Sequence, residues 1–292
     1  MWRIVLATDG SEASQATVEL LRALRFPVTT AVRVVTVHAP LERALPWEHP
    51  AIDRLEREKL SAARQIADET AEAVRALGCD ASTDVRTGEP AREILNAANE
   101  HEASLIVVGS RGLSGLQRLI LGSVARNVAS HAPCAVAIAH PPAHGLRQVV
   151  LATDGSEYAD RATGFLTRLP LPEDARVTTV GVTRPHNLTP GLMTINERDL
   201  EEALAEADDR QRREALRRAE QAAYRLKAAG LASQAELRVG DPTEEILSLA
   251  AERHADLIVA GARGVSALEG LFLGSVADRL VNRAPCSVLL VR

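Results

Sequence analysis

Residues Val5–Glu12 read VLATDGSE, and residues Val150–Glu157 read VLATDGSE again. All eight positions match at an offset of 145, so the chain is built from two copies of one unit. The octapeptide also decides the kind of unit. Its apolar start fits a short strand buried on both faces, and its Asp-Gly-Ser end fits a tight turn into a helix.

Three further segments repeat. GEPAREIL from Gly88 matches GDPTEEIL from Gly240, GSRGLSGLQRLILGSVA from Gly109 matches GARGVSALEGLFLGSVA from Gly261, and HAPC matches RAPC. The offset of these three is 152, so the second copy carries seven extra residues between its opening unit and its GDP segment. They fall in Asn196–Ala229, a stretch dense in Glu, Asp and Arg that reads as a solvated helix with i,i+4 ion pairs. The copies meet in AHPPAHGLRQ, Ala139–Gln148, where prolines and a glycine interrupt two apolar runs, giving domains at 1–142 and 143–292.

The first copy alternates strand and helix throughout. Strands are expected at Ile4–Ala7, Val32–Val37, Ser82–Arg86, Leu105–Val108 and Ala135–Ala139. Helices are expected at Ser11–Leu24 with Ser11 as N-cap, at Ala51–Leu77 closed by Gly78, from Pro90 to about Glu100, and at Ser123–His131. Both-face-buried strands between helices imply a parallel sheet with helices on each side. The fold class is therefore α/β, as two tandem five-stranded, parallel, doubly wound, Rossmann-like domains.

Composition narrows the function. The 292 residues include only seven aromatic ones, and 34 basic against 39 acidic residues leave a formal charge of −5. Single-stranded nucleic-acid modules need exposed rings and a phosphate-neutralising surface, so no nucleic-acid partner is expected. Three cysteines, Cys79, Cys134 and Cys286, form no paired or metal-binding spacing and suit a reducing, cytoplasmic setting. Cys134 and Cys286, just before the final strands, read as small buried residues, and His101, His131 and His254 as helix-end residues. The opening apolar run is too short for a signal segment or a membrane span.

The chemistry concentrates in Gly109-x2-Gly112-x9-Gly122-Ser123 and its repeat Gly261-x2-Gly264-x9-Gly274-Ser275. Each begins at the end of strand four and finishes at a helix N-terminus. Glycine serves where backbone turns with positive φ or approaches a ligand closely, and a helix N-terminus offers unpaired N–H groups, so the loop is an anion cradle. Arg111 and Arg263 add a guanidinium, and Ser123 and Ser275 a hydroxyl for a phosphate or for capping. Asp9 and Asp154, at the end of strand one, share the crevice if strand one lies beside strand four. Such a carboxylate suits a ribose hydroxyl, an adenine amine or a bridging Mg²⁺, or an N-cap or Asx-turn at the start of the first helix, and both roles can coexist. The loop is neither a GxGxxG fingerprint nor a P-loop, GxSxG is absent, and no catalytic residue is assigned.

At these residues the chain resembles the universal stress protein family, in its tandem-domain, ATP-binding form. The resemblance implies a nucleotide-dependent stress-response regulator that binds ATP, with Mg²⁺, and forms dimers. It carries the motif onto Gly109, Gly112, Gly122 and Ser123, and onto Gly261, Gly264, Gly274 and Ser275. It carries the aspartate onto Asp9 and Asp154, and the adenine-facing residue of strand two onto Val37 and Val182. Val124, Val276, Arg111 and Arg263 flank the motif. In the resembled family the dimer forms through the last strand, so a homo-oligomer or an internal pseudo-dimer is expected. Slow ATP hydrolysis, phosphoryl or nucleotidyl transfer, and a nucleotide-independent interaction module are the alternatives.

Overall fold

In the computed structural model, which describes residues 1–40, 50–112, 121–141, 145–185, 197–265 and 273–292, strands form where apolar runs meet helices on both sides. The first copy runs β1 (Arg3–Ala7), α1 (Glu12–Ala23), β2 (Ala31–His38), α2 (Pro50–Arg75), β3 (Asp80–Thr87), α3 (Pro90–Glu100), β4 (Leu105–Gly109), α4 (Ser123–His131) and β5 (Ala135–Ala139). The second runs β6 (Gln148–Thr153), α5 (Glu157–Leu166), β7 (Arg176–Thr183), α6 (Glu197–Ala228), β8 (Ala232–Val239), α7 (Pro242–Glu252), β9 (Leu257–Gly261), α8 (Ser275–Arg283) and β10 (Ser287–Val291). The expected bounds of α4 and β5 are met residue for residue, and Ser11 caps α1 by accepting the Ser14 N–H. α6 has 32 residues against 26 in α2, which places most of the extra length of the second copy in this helix.

Alternation along β1 shows why its sequence is apolar at successive positions. Ile4 and Leu6 enter a core layer with Leu20 and Leu21 of α1 and Val74 of α2. Val5 and Ala7 point the other way, into a layer with Ile94 of α3 and Val128 of α4. β3 is more polar than β1 because it is an outer strand, paired only with β2.

Within each copy all pairings are parallel and β1 lies between β2 and β4, as the switch-point reading requires. The strand order is β3-β2-β1-β4-β5-β10-β9-β6-β7-β8, so the two five-stranded parallel units join into one ten-stranded sheet, the internal pseudo-dimer through the final strands that the sequence allows. The final strands make the seam. β5 and β10 pair antiparallel, with Ile138 opposite Val288, Ala137 opposite Leu289 and Val136 opposite Leu290. These six residues are at most 4% exposed, so each copy covers the edge strand of the other. The 142/143 domain boundary lies outside the described residues.

Polar and aromatic contacts cross the seam too. Arg292, after β10, donates to the carbonyls of Ala129 and Ser130 at the end of α4, and the His140 N–H donates to Ser287 Oγ at 3.2 Å. Trp2 packs edge-on against Phe26 of its own copy and Phe165 of the other, at 5.3 and 5.4 Å between ring centres. Three of the seven aromatic rings thus serve the contact between copies. No helix among the described residues is long and apolar enough to cross a membrane.

His140 makes this seam sensitive to acid. Burial, with the nearby Arg111 adding to it, outweighs a hydrogen bond to the Ile138 backbone and lowers its pKa from 6.5 to about 4. The unfolded chain therefore binds a proton more readily between those values. The stabilisation is complete above pH 6.5 and is lost as the pH falls towards 4, by on the order of 3 kcal/mol. Urea unfolding at stepped pH should show His140→Gln losing less stability than the parent over this window; parallel curves would remove His140 from the account.

Candidate functional site

The end of β1 is shaped by its own side chains. Asp9 Oδ1 accepts the Ser11 N–H at 3.0 Å in an Asx-turn, Gly10 takes φ +79°, and Thr8 Oγ1 donates to Ser14 Oγ at 3.2 Å. The second copy repeats the turn, with Asp154 Oδ1 accepting the Ser156 N–H at 2.9 Å and Gly155 at φ +75°. Asp154 also reaches the glycine loop, where its Oδ2 accepts the Val265 N–H at 3.0 Å. The aspartates thus tie β1 and β6 into the site as structural members.

The loop glycines owe their place to crowding. None of Gly109, Gly112, Gly122, Gly261, Gly264 or Gly274 takes a left-handed φ, so positive φ, one of the two reasons expected for glycine, does not apply here. A Cβ at Gly109 would lie 2.5 Å from the Ala13 carbonyl oxygen, and one at Gly112 would lie 2.6 Å from Asp9 Oδ2. Gly264 repeats this against Asp154 Oδ2 at 2.5 Å. Gly122 differs, since the nearest atoms to its Cβ position are 3.4 Å away, an ordinary contact. Internal packing does not require glycine there.

α4 starts beyond Gly122, which is the N-cap itself and carries no capping side chain; Gly274 does the same for α8. Ser123 and Ser275 are therefore first helical residues and not the caps that one reading of the sequence made them. The first N–H groups of both helices are left for another acceptor. In the first copy they face a cavity of about 400 Å³. Its floor is Ala7, Thr8, Asp9, Val35 and Val37, one wall is Pro90 and Ile94 of α3, and the other is Gly109, Arg111, Gly112 and Gly122–Ala125. Every first-copy site residue assigned from sequence, Asp9, Val37, Gly109, Arg111, Gly112, Gly122, Ser123 and Val124, lines this one cavity.

The structure adds residues that the sequence reading passed over. Ser14, Ala39, Pro90 and Ile94 also line the cavity. The repeated G-[E/D]-P segment carries a signal for Pro90, although from sequence it reads only as a helix start. Ser110 Oγ is buried without a partner, and its counterpart is Ala262.

The second copy keeps the backbone plan with different neighbours. Gly274 N–H donates to the Ala262 carbonyl at 2.8 Å, as Gly122 does to Ser110, while Val182 and Val276 pack at the edge of the apolar layer. Arg263 departs from Arg111. Tyr158 stands where the first copy has Ala13, its hydroxyl is 3.4 Å from Arg263 Nη1, and the guanidinium sits 5.8 Å from its ring centre. The cysteines contribute no reactive thiolate, because burial raises the pKa of Cys134 and Cys286 to about 12 and also raises that of Cys79. Among the described residues no group of three or more His, Cys, Asp or Glu is placed to hold a metal.

The model of the universal stress protein family matches residues 1–140 and again 145–292. The chain belongs to the universal stress protein family. Among its relatives, the universal stress protein YxiE of Bacillus subtilis is 36% identical over 151 residues, 47% of this chain and 97% of that protein. A universal stress protein of Thermus aquaticus is 37% identical over 150 residues, 50% of this chain and 98% of its own length. The crystal structure of a universal stress protein from Archaeoglobus fulgidus covers 99% of this chain and 98% of its own, with TM-score 0.65 and 23% identity, a likeness of fold.

The crowding makes a graded prediction. Gly109→Ala should cost about 1–3 kcal/mol in denaturant unfolding, because its Cβ meets backbone that cannot move aside. Gly122→Ala should change stability by less than about 0.5 kcal/mol. Equal losses at both positions would contradict the packing account.

Proposed function

We infer that each domain binds ATP at its glycine loop and that the protein acts as a nucleotide-dependent regulator of the stress response. The observation that carries this reading is the uncapped N-terminus of α4, opening into the cavity beside a glycine that packing does not demand. A helix N-terminus with free N–H groups attracts a phosphate by hydrogen bonding and by the helix dipole. The absent Cβ at Gly122 leaves room for that anion. The cavity volume falls in the range of about 300–1,000 Å³ typical of small-molecule sites.

The residues fit the whole ligand. Gly112, Gly122, Ser123 and Val124 would hold the phosphates through backbone N–H groups and the Ser123 hydroxyl, with Arg111 supplying positive charge. The apolar floor of Val35 and Val37 against Ile94 suits a base read by backbone groups and shape. Asp9 provides one carboxylate for Mg²⁺, which normally takes one or two carboxylates with phosphate oxygens and water. Gly261, Gly264, Gly274, Ser275, Val276, Asp154 and Val182 take the matching parts in the second domain, with Arg263 approaching from beside Tyr158. The three cysteines, none in a disulfide and two of them buried, fit a reducing, cytoplasmic setting.

Regulation needs a route from the ligand to the rest of the chain, and α4 supplies one. Its first N–H groups face the cavity, and its last carbonyls hold Arg292 of the other copy. Occupancy of the first cleft therefore bears on the seam.

Isothermal titration with Mg²⁺-ATP tests the reading. The parent chain should release heat, and Gly122→Val and Gly274→Val should each lose one site while staying folded by circular dichroism. No heat at about 1 mM ATP, a free energy near −4.1 kcal/mol, would overturn it.

A further inference from the structure

The glycine loops repeat between the copies, but the rims of the clefts do not. Ala39 lines the first cleft two residues past Val37, and the residue two past Val182 is Arg184. Glu89, the N-cap of α3, is replaced by Asp241, the N-cap of α7. Asn127 of α4 is replaced by Arg279 of α8.

These three changes meet in space. Arg184 Nη2 donates to Asp241 Oδ2 at 2.9 Å, and Arg279 Nη2 approaches the same carboxylate at 3.2 Å from Oδ1 and 3.3 Å from Oδ2. Asp241 is fixed by accepting the Thr243 and Glu244 N–H groups at 3.0 and 3.3 Å. Burial works to raise its pKa, but hydrogen bonds from Arg279 and the backbone outweigh it and hold the carboxyl below its ordinary value, so it stays ionised. At these three positions the second copy carries two guanidiniums and one carboxylate where the first carries a single carboxylate, and beside them Glu244, close to Arg279 and Asp241, replaces Arg92. Arg184 is 63% exposed, so Asp241 and not packing holds it, and its remaining N–H donors are available to a ligand. Thr183 and Thr243, next to these residues, have buried hydroxyls with no partner.

Distance gives the rim a chemical meaning. β7 lies two strands from β9 and Arg184 is three residues past Gly181, the residue level with Gly261, so Arg184 stands about 14 Å from the strand end that starts the glycine loop. A ligand whose phosphate sits on α8 reaches this rim with its nucleoside part, and only a charged nucleoside part gains from it. We propose that Arg184 and Arg279 make the second cleft selective for a nucleotide that carries an anionic group on its ribose in addition to its 5′-phosphate. The inference rests on the nucleotide-binding reading of the loops and gives the two domains different ligands.

ADP and adenosine 3′,5′-bisphosphate test it, because they carry the same number of phosphates in different places. In the full-length Gly122→Val chain, titration should show the bisphosphate binding the second cleft roughly tenfold more tightly than ADP, with the steeper salt dependence. Arg184→Ala with Arg279→Asn should abolish that preference and leave ADP binding in place. In the Gly274→Val chain, Ala39→Arg with Asn127→Arg should confer the preference on the first cleft. Equal affinity for the two nucleotides at the second cleft, or a preference that survives loss of both arginines, would overturn the proposal while leaving nucleotide binding intact. No binding of either nucleotide to the parent chain would overturn the reading and the proposal together.

Discussion

The strand ends of each domain are too crowded to hold a Cβ. At Gly109 the Ala13 carbonyl occupies the space a side chain would need, and at Gly112 the Asp9 carboxylate does. That crowding draws the start of α1, the end of β1 and the glycine loop into one knot. The knot delivers Gly122 and the first turn of α4 to the edge of a cavity with N–H groups still unpaired. An unpaired helix N-terminus is tolerable only where water or an anion can reach it. The same local sterics therefore build the turn and leave the site bare.

Duplication serves the sheet as much as the site. A five-stranded parallel unit ends on an apolar strand whose far edge is open, and AVAIA and SVLLV are unsafe edges by composition. Pairing them antiparallel closes both at once and joins the cores on both faces of the sheet into layers that span the two copies. Once joined, the copies need not stay alike. Tyr158 against Arg263, and Arg184 with Arg279 on Asp241, are contacts the first copy cannot make, because it has Ala13, Ala39 and Asn127 there.

Repeats and glycine spacing carried most of the fold and the first site into view from sequence. VLATDGSE gave the domain count, and the placement of Gly109 after the fourth strand located the cleft because β1 does lie beside β4. The aspartates allow a ligand role and an Asx-turn together, and the Ser11 and Ser156 N–H groups show the turn, made by one oxygen of each carboxylate. What stayed hidden depends on contacts between distant residues. Arg184 and Asp241 are 57 residues apart, and Arg279 is 38 beyond Asp241, so no periodicity or motif links them. The crowding that selects the loop glycines stayed hidden for the same reason, since the obstacle at Gly109 is an atom of another element.

The central claim is that the bare first turns of α4 and α8 are anion sites. Amide hydrogen exchange of Ser123–Ala125 and Ser275–Ala277, measured with and without Mg²⁺-ATP, tests it most directly. The account predicts slower exchange at these N–H groups when nucleotide is present, with the outer strands β3 and β8 unchanged. Exchange at both helix starts unaffected by saturating nucleotide would contradict it.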